Sequence, residues 1–408
     1  MKYILLIGDG MGDVPVPALN NQTPLEVAQT PTMDRLANAS EMLQVRTVPQ
    51  GYPPGSDVAN LSLMGYEPEK YYTGRAPLEA ASLGVELGPD ELAFRCNLVH
   101  VERASNGRLR MIDYSAGHIS TEESTQLITA LQEAFNSEKI ALYPGVSYRH
   151  LLVFSGQLPT DFSTVPPHDY SDQEVTSFYK EYEKVPSLAH IMEKAQEILV
   201  KHPVNRERER QGKRTANAVW LWGEGKRPAM ETLDARFGIR GGLISAVDLL
   251  KGLGVLGGLD IIHVDGATGY LDTNYAGKAQ AAIDVLKKND FVLVHVEAPD
   301  ETGHQGLAKE KVQAVADFDE KIVTPIVEEM ERQGEEFRVA ITMDHFTPIH
   351  RRTHEDWPVP MFIYDSRGVT QPAGCTYSEA HVLAAVEKNG LKLDSGAAFF
   401  RHFVEQEE

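Results

Sequence analysis

The chain is poor in cysteine and in positive charge, and it lacks any long apolar run. Cys96 and Cys375 are the only cysteines in 408 residues. They are too few for a disulfide framework and neither has a C-x-x-C partner, so a reducing cytoplasm is the expected compartment. Both read as small buried hydrophobes. Lys and Arg number 39 against 59 Asp and Glu, a formal charge of −20. Such a field opposes nucleic acid and anionic membrane surfaces, and a small anionic substrate would need a local basic pocket. The apolar opening, Tyr3 to Ile7, is cut short by Gly8 and Asp9, too soon for a signal peptide or a membrane span. There is no internal repeat, no low-complexity tract and no G-x-x-x-x-G-K-[ST] phosphate loop.

What is present is length enough for one large domain or two moderate ones, with strands alternating with helices. Tyr3 to Ile7, Asp260 to Val264, Phe291 to Val296 and Arg338 to Thr342 are near-continuous apolar runs, as in strands buried on both faces. Pro31 to Ala39, Tyr275 to Leu286 and Lys309 to Met330 carry apolar residues at helical spacing. The fold class expected is α/β, a mostly parallel sheet with helices on both faces.

The middle of the chain reads differently. Ala93 to Glu102, Leu109 to Tyr114 and Tyr148 to Phe154 look like strands around a helix from Thr121 to Phe135, opened by a capping box of Ser120 and Glu123. Residues 94–181 are expected to form a small inserted α+β domain that covers the site, carried on a main domain of residues 1–93 and 182–408.

Chemistry concentrates where apolar runs end. Asp9 lies in D-G-M-G-D, whose glycines let the chain turn straight after the first strand and bring a carboxylate to a metal. Ser56, in P-P-G-S-D-V-A-N, falls at the start of a helical pattern, where its hydroxyl meets the positive helix end and could act as a metal-activated nucleophile. Alone, it would read as a helix cap. Asp300 and His304 in A-P-D-E-T-G-H are spaced to converge on one ion. Asp344 and His345 follow another strand, with His354 ten positions later. Neighbouring strand residues point to opposite faces, so a shared role requires the chain to leave sheet geometry there. This mixed oxygen and nitrogen set suits two ions of Mn2+ or Zn2+, with Mg2+ the other candidate.

With these motifs, D-V-A-N-L-S after Ser56, Y-T-G-R-A-P-L-E-A-A at Tyr72 to Ala81, F-R-C-N-L at Phe94 to Leu98 and D-G-A-T-G-Y-L-D-T-N-Y at Asp265 to Tyr275, the chain resembles the archaeal type of cofactor-independent phosphoglycerate mutase. That family lies within the alkaline phosphatase superfamily. The resemblance spans essentially the whole chain. It implies an alkaline-phosphatase-like sheet and two metals, one on Asp9, Ser56, Asp344 and His345, the other on Asp300, His304 and His354, with Asp9 free to bridge. It also implies transfer of the phosphoryl group of a phosphoglycerate to Ser56 and back to the other hydroxyl, without 2,3-bisphosphoglycerate. Cations for the substrate's charges are expected from Arg75, Arg95, Arg149 and Lys278, and further contacts from His150 and His168.

Departures from the family pattern bear on substrate. Phe346 and Trp357 add bulk near the second metal. D-Y-S-A-G-H-I at Asp113 to Ile119, Y-R-H at Tyr148 to His150, P-P-H-D at Pro166 to Asp169 and V-W-L-W-G-E-G-K at Val219 to Lys226 resemble a bacterial branch proposed to phosphorylate homoserine, which makes a kinase the alternative. Trp220 and Trp222 read first as core. Oligomeric state is not specified by any of these patterns.

Overall fold

A computed structural model describes residues 1–135, 139–368 and 372–405. The chain divides into two compact units, residues 1–72 with 229–408 and residues 73–228.

The first unit is built on an eight-stranded sheet. Its centre is Lys2–Gly8, flanked in parallel by Phe291–Val296 and Phe337–Thr342. Gly241–Ile244 and Asp260–Ile261 extend one side in parallel. Val359–Asp365 and Glu41–Val45 extend the other as antiparallel neighbours, ended by Lys392–Leu393, which is parallel to Glu41–Val45. The central strands are buried along their length apart from the first residues of Lys2–Gly8, as their unbroken Val, Ile and Leu runs require. Their register sets Gly8 beside Val296 and Ile7 beside Thr342. Three parallel strands therefore finish level with one another, and the residues that follow them share one edge of the sheet.

Two elements differ from the sequence reading. The strand expected over 260–264 is confined to Asp260–Ile261 at the sheet edge, where only one neighbour holds it. The long helix over 309–330 is three pieces, Ala308–Phe318, a π-helical turn Asp319–Val323 and Thr324–Gln333. Pro325 has no N–H to continue the helical ladder, and the wider turn absorbs the missing bond.

The second unit is an antiparallel sheet with helices on it. Leu109–Asp113, Glu91–Arg103, Arg149–Ser155 and Ile140–Tyr143 are successive neighbours, and Ala218–Gly225 also pairs with Glu91–Arg103. Thr121–Ala134 begins with the Ser120–Glu123 capping box, and Leu127, Ile128 and Leu131 pack with Leu188, Ile191 and Leu199 of Pro186–Lys201. The unit is wider than the 94–181 insertion expected, because Ala218–Gly225 belongs to its sheet and Arg75–Ser82 packs on it through Ala76 and Ala80. Trp220 and Trp222 are buried at 1% and 3% exposure, and their indole N–H groups donate to Val165 O and Asn97 Oδ1. Cys96 is buried, Cys375 partly so, and both are free. Among the described residues no helix is long and apolar enough to cross a membrane.

Candidate metal centre and nucleophile

The level strand ends assemble the site. Asp9 follows Lys2–Gly8 directly, and the turn behind it depends on Gly10, whose φ is 57°. A Cβ there would lie 2.5 Å from both Asp300 Oδ1 and Thr347 Oγ1, so only glycine lets the two loops close on each other. Asp300 and His304 stand one turn apart on the helix Ala298–Gln305, which gives both side chains one face. Asp344 and His345 lie beyond the strand Phe337–Thr342, outside sheet geometry as a shared role demands, and Phe346 pins the loop by bridging to Met11 and Glu355. The Phe346 ring packs edge-on against Trp357, with centroids 5.4 Å apart.

Ser56 is the first residue of the helix Ser56–Leu63, and Gly55, not Ser56, holds the cap position. The hydroxyl is thus free of the capping role and lies 3.2 Å from His345 Nε2. Asn60, one turn on, donates to Ser56 O and to Asp344 Oδ2, both at 2.8 Å. Asp344 also accepts from the backbone N–H groups of Gly10 and His345.

The expected ligands meet in overlapping groups: Asp300, His304 and His354 in one, Asp9, Asp300 and His345 in another. Asp9 and Asp344 group instead with a histidine the sequence reading passed over, His295. His304 Nδ1 lies 3.0 Å from Arg352 O and His354 Nδ1 lies 3.3 Å from Pro54 O. A carbonyl only accepts, so each Nδ1 carries the proton. The Thr347 hydroxyl donates to Asp300 Oδ1 at 2.5 Å, so its contact of 3.2 Å with His345 Nδ1 is also one in which the imidazole donates. In all three rings Nε2 is the nitrogen that faces the carboxylates. His304 and His354 Nε2 stand 2.9 Å apart, and Asp300 is 3.2 and 3.4 Å from them.

This donor set fits divalent cations. Burial, then the neighbouring Asp344 and Asp300, push Asp9 well above the usual carboxylate range, and its Oδ1 is buried without a hydrogen bond. Burial also raises Asp300, but contacts with His304 and His354 outweigh it and hold the carboxyl well below its ordinary value. Burial drives His345 down to about 4 in spite of Asp344, leaving a neutral imidazole, the form that ligates. Acids crowded together with imidazole nitrogens turned toward them call for positive charge among them, which divalent ions would supply.

The residues expected to meet substrate are placed less uniformly. Lys278 is fully buried in the first unit, with Nζ 3.1 Å from Glu297 Oε2 and 3.3 Å from His295 O. The others belong to the second unit. Arg75 opens the helix Arg75–Ser82. Arg95 pairs with Glu79 at 3.0 Å and lies over the Trp222 ring at 4.1 Å. His168 meets Trp222 edge-on at 5.4 Å and Tyr114 at 6.0 Å, Tyr114 meets Tyr148 at 5.5 Å, and Arg149 lies over Tyr148 at 5.6 Å. The four motifs shared with the homoserine-related branch therefore converge on one aromatic and cationic cluster. His150 is buried beside it, its Nδ1 accepts from Gly145 N, and burial lowers it to about 3.

Several contributors carry no assignment in the sequence reading: Asn60, Thr347, His295, Glu297, and the buried pair Lys311 and Asp13. Lys311 Nζ donates to Asp13 Oδ2, Gly12 O and Thr347 O at 3.0, 3.0 and 2.8 Å, tying together the loops that bear Asp9 and His345. A signal existed for one pair, since His295 and Glu297 stand two apart at a strand end and so share a face.

Fold and site together define the class: an α/β enzyme whose carboxylate and imidazole cluster suits divalent cations beside a serine at a helix start. The family model of 2,3-bisphosphoglycerate-independent phosphoglycerate mutase matches residues 37–205. A Geobacter sulfurreducens protein named as a probable mutase of this kind is 47% identical over 395 residues, 96% of this chain and 98% of its own. The chain belongs to the family of 2,3-bisphosphoglycerate-independent phosphoglycerate mutases. A Methanosarcina acetivorans member is 48% identical, covering 92% of this chain and 94% of its own. Among solved structures, a Pyrococcus horikoshii protein matches with a TM-score of 0.81 and 29% identity over 100% of this chain and 98% of its own. The cofactor-independent phosphoglycerate mutase of Thermoplasma acidophilum matches with a TM-score of 0.66 and 25% identity over 99% of both. The relatives named here by activity are mutases, which favours the isomerase over the kinase alternative.

Proposed function

We propose that this protein interconverts 2-phosphoglycerate and 3-phosphoglycerate through a phosphoserine at Ser56. The observation that carries the reading is the Ser56 hydroxyl, uncapped at a helix start and 3.2 Å from His345 Nε2 within the ligand cluster. Asp9, Ser56, Asp344 and His345 would hold one divalent ion and Asp300, His304 and His354 the other, with Mn2+ or Zn2+ matching the mixed donors. Such ions supply a lowered hydroxyl pKa and charge neutralisation at the phosphoryl oxygens.

Ser56 Oγ forms a bond to phosphorus as the bond to the ester oxygen breaks, and the proton lost by Ser56 ends on the glycerate oxygen released. The reverse transfer, to the other hydroxyl of glycerate, restores Ser56, so no bisphosphoglycerate donor is consumed. Asn60 steadies Ser56 against Asp344, and the N–H groups of the first helical turn face the transferring phosphoryl group. Arg75, Arg95 and Arg149 supply charge for the phosphate and carboxylate of the substrate. Water must be kept from the phosphoserine, since its hydrolysis would turn the isomerase into a phosphatase. Two unpaired cysteines suit a cytoplasmic location.

The test is incubation of the manganese-loaded protein with 3-phosphoglycerate alone, followed by 31P NMR. Appearance of 2-phosphoglycerate without nucleotide is expected. No turnover there, with phosphorylation of homoserine when ATP is supplied, would replace the mutase with the kinase.

A further inference from the structure

His295 completes a pattern that its three neighbours share. It is fully buried at the end of the strand Phe291–Val296. Its Nδ1 lies 3.2 Å from Glu297 Oε1, and a carboxylate so placed takes the Nδ1 proton as its hydrogen bond. The remaining nitrogen, Nε2, points between Asp9 Oδ2 at 3.3 Å and Asp344 Oδ2 at 3.8 Å. Asp344 Oδ2 is beyond hydrogen-bond distance and Asp9 Oδ2 is not aligned for one, so Nε2 is a buried polar atom without such a partner, as is Asp9 Oδ1 beside it. Two carboxylates around this nitrogen are balanced by positive charge, either a proton on Nε2 or a cation standing among the three groups.

From this geometry, and resting on the divalent-metal reading above, we infer that His295 is a protein ligand to the ion held by Asp9 and Asp344. Glu297 is its positioning residue. One imidazole and two carboxylates form a set for Mn2+ or Zn2+. Ligating histidines characteristically donate their other N–H to a carboxylate, which fixes ring orientation and strengthens the donor. Glu297 is itself immobilised for that task. Its Oε1 accepts from Ser245 Oγ at 2.8 Å and from Ala246 N at 3.0 Å, and its Oε2 accepts from Lys278 Nζ at 3.1 Å. Lys278 would therefore act on the ion only indirectly, through Glu297 and then His295. Without Lys278 the buried carboxylate would lose its counter-charge. His345 reaches the same two acids, with Nε2 3.5 Å from Asp9 Oδ1 and 3.6 Å from Asp344 Oδ2. Asp9 thus offers one oxygen to each imidazole.

Crystals of the wild-type protein loaded with Mn2+, measured at the manganese absorption edge, test the inference directly. An anomalous peak is expected within about 2.2 Å of His295 Nε2. Manganese at Asp300, His304 and His354 with none in reach of His295 would overturn the inference and leave the two-metal reading standing. Crystals with no manganese anywhere in the cluster would remove that reading and this inference with it. In solution, Mn2+ titration followed by electron paramagnetic resonance reads the positioning role. Glu297→Gln should bind one equivalent about 10–100-fold more weakly than wild type while the other is unchanged. Wild-type affinities for both equivalents would show that Glu297 does not position the ligand.

Discussion

Ser56 Oγ and His345 Nε2 lie 3.2 Å apart although 289 positions separate them in the chain. The contact joins a helix start to a loop that follows a parallel strand, and the other expected ligands gather around it. Ser56→Ala should abolish formation of a phosphorylated enzyme, seen by intact mass after brief exposure to substrate. Since the hydroxyl caps nothing, urea unfolding should shift by about 1 kcal/mol or less. A variant that still accumulates a phosphoenzyme would displace Ser56 as the nucleophile.

His304 offers a cleaner test of ligand assignment, because its side chain is partly exposed and 32% accessible. His304→Ala is expected to fold normally and to lose one of two tightly held ions in elemental analysis after gel filtration. Retention of both would place the second ion elsewhere.

Lys311 and Asp13 are each fully buried as side chains and pair at 3.0 Å. Burial lowers the Lys311 ammonium from its ordinary value and Asp13 opposes that. Lys311→Met should cost about 3–5 kcal/mol, because it leaves a carboxylate buried without its cation. The double variant Asp13→Asn with Lys311→Met should recover much of that loss in urea titrations. Equal instability of single and double variants would mean that the bonds from Lys311 to Gly12 O and Thr347 O matter more than the charge pair.

Glu379 supplies a pH dependence. Burial raises its carboxyl to about 7, against hydrogen bonds from Asp13 N and Thr23 Oγ1 that favour the ionised form. The folded protein then binds this proton more tightly than the unfolded chain, whose value is near 4.5. The protonated carboxyl favours the fold, and that contribution is lost as pH rises from about 4.5 through about 7. Glu379→Gln cannot ionise, so its stability relative to wild type should increase across that window and level off above it. A difference between the two that is flat from pH 5 to pH 8 would show that Glu379 does not titrate in this range.

The three central parallel strands and the helix Tyr275–Leu286 were readable because both-face burial writes an unbroken apolar run and helical burial writes its own period. The candidate ligand positions that the fold brings together were readable as acids and histidines past those runs. The break in the helix at Asp319–Val323 was not, since apolar spacing continues across a π-helical turn. Nor was the true extent of the second unit, because the pairing of Ala218–Gly225 with Glu91–Arg103 joins segments more than a hundred residues apart, and periodicity reports only local order. Lys278 stands close to a matched motif in sequence, yet its ammonium is turned to Glu297, a direction that spacing along the chain does not contain.

By itself the amino-acid order determined which residues could bind a cation and which segments had to be buried, because both follow from side-chain chemistry and short-range period. Only the tertiary structure decided which nitrogen of each imidazole faces the acids, that Gly55 frees Ser56 from capping, and that His295 joins Asp9 and Asp344. Those outcomes depend on hydrogen-bond partners such as Thr347, Arg352, Pro54 and Glu297, of which Arg352 and Pro54 reach the ring they orient from distant parts of the chain.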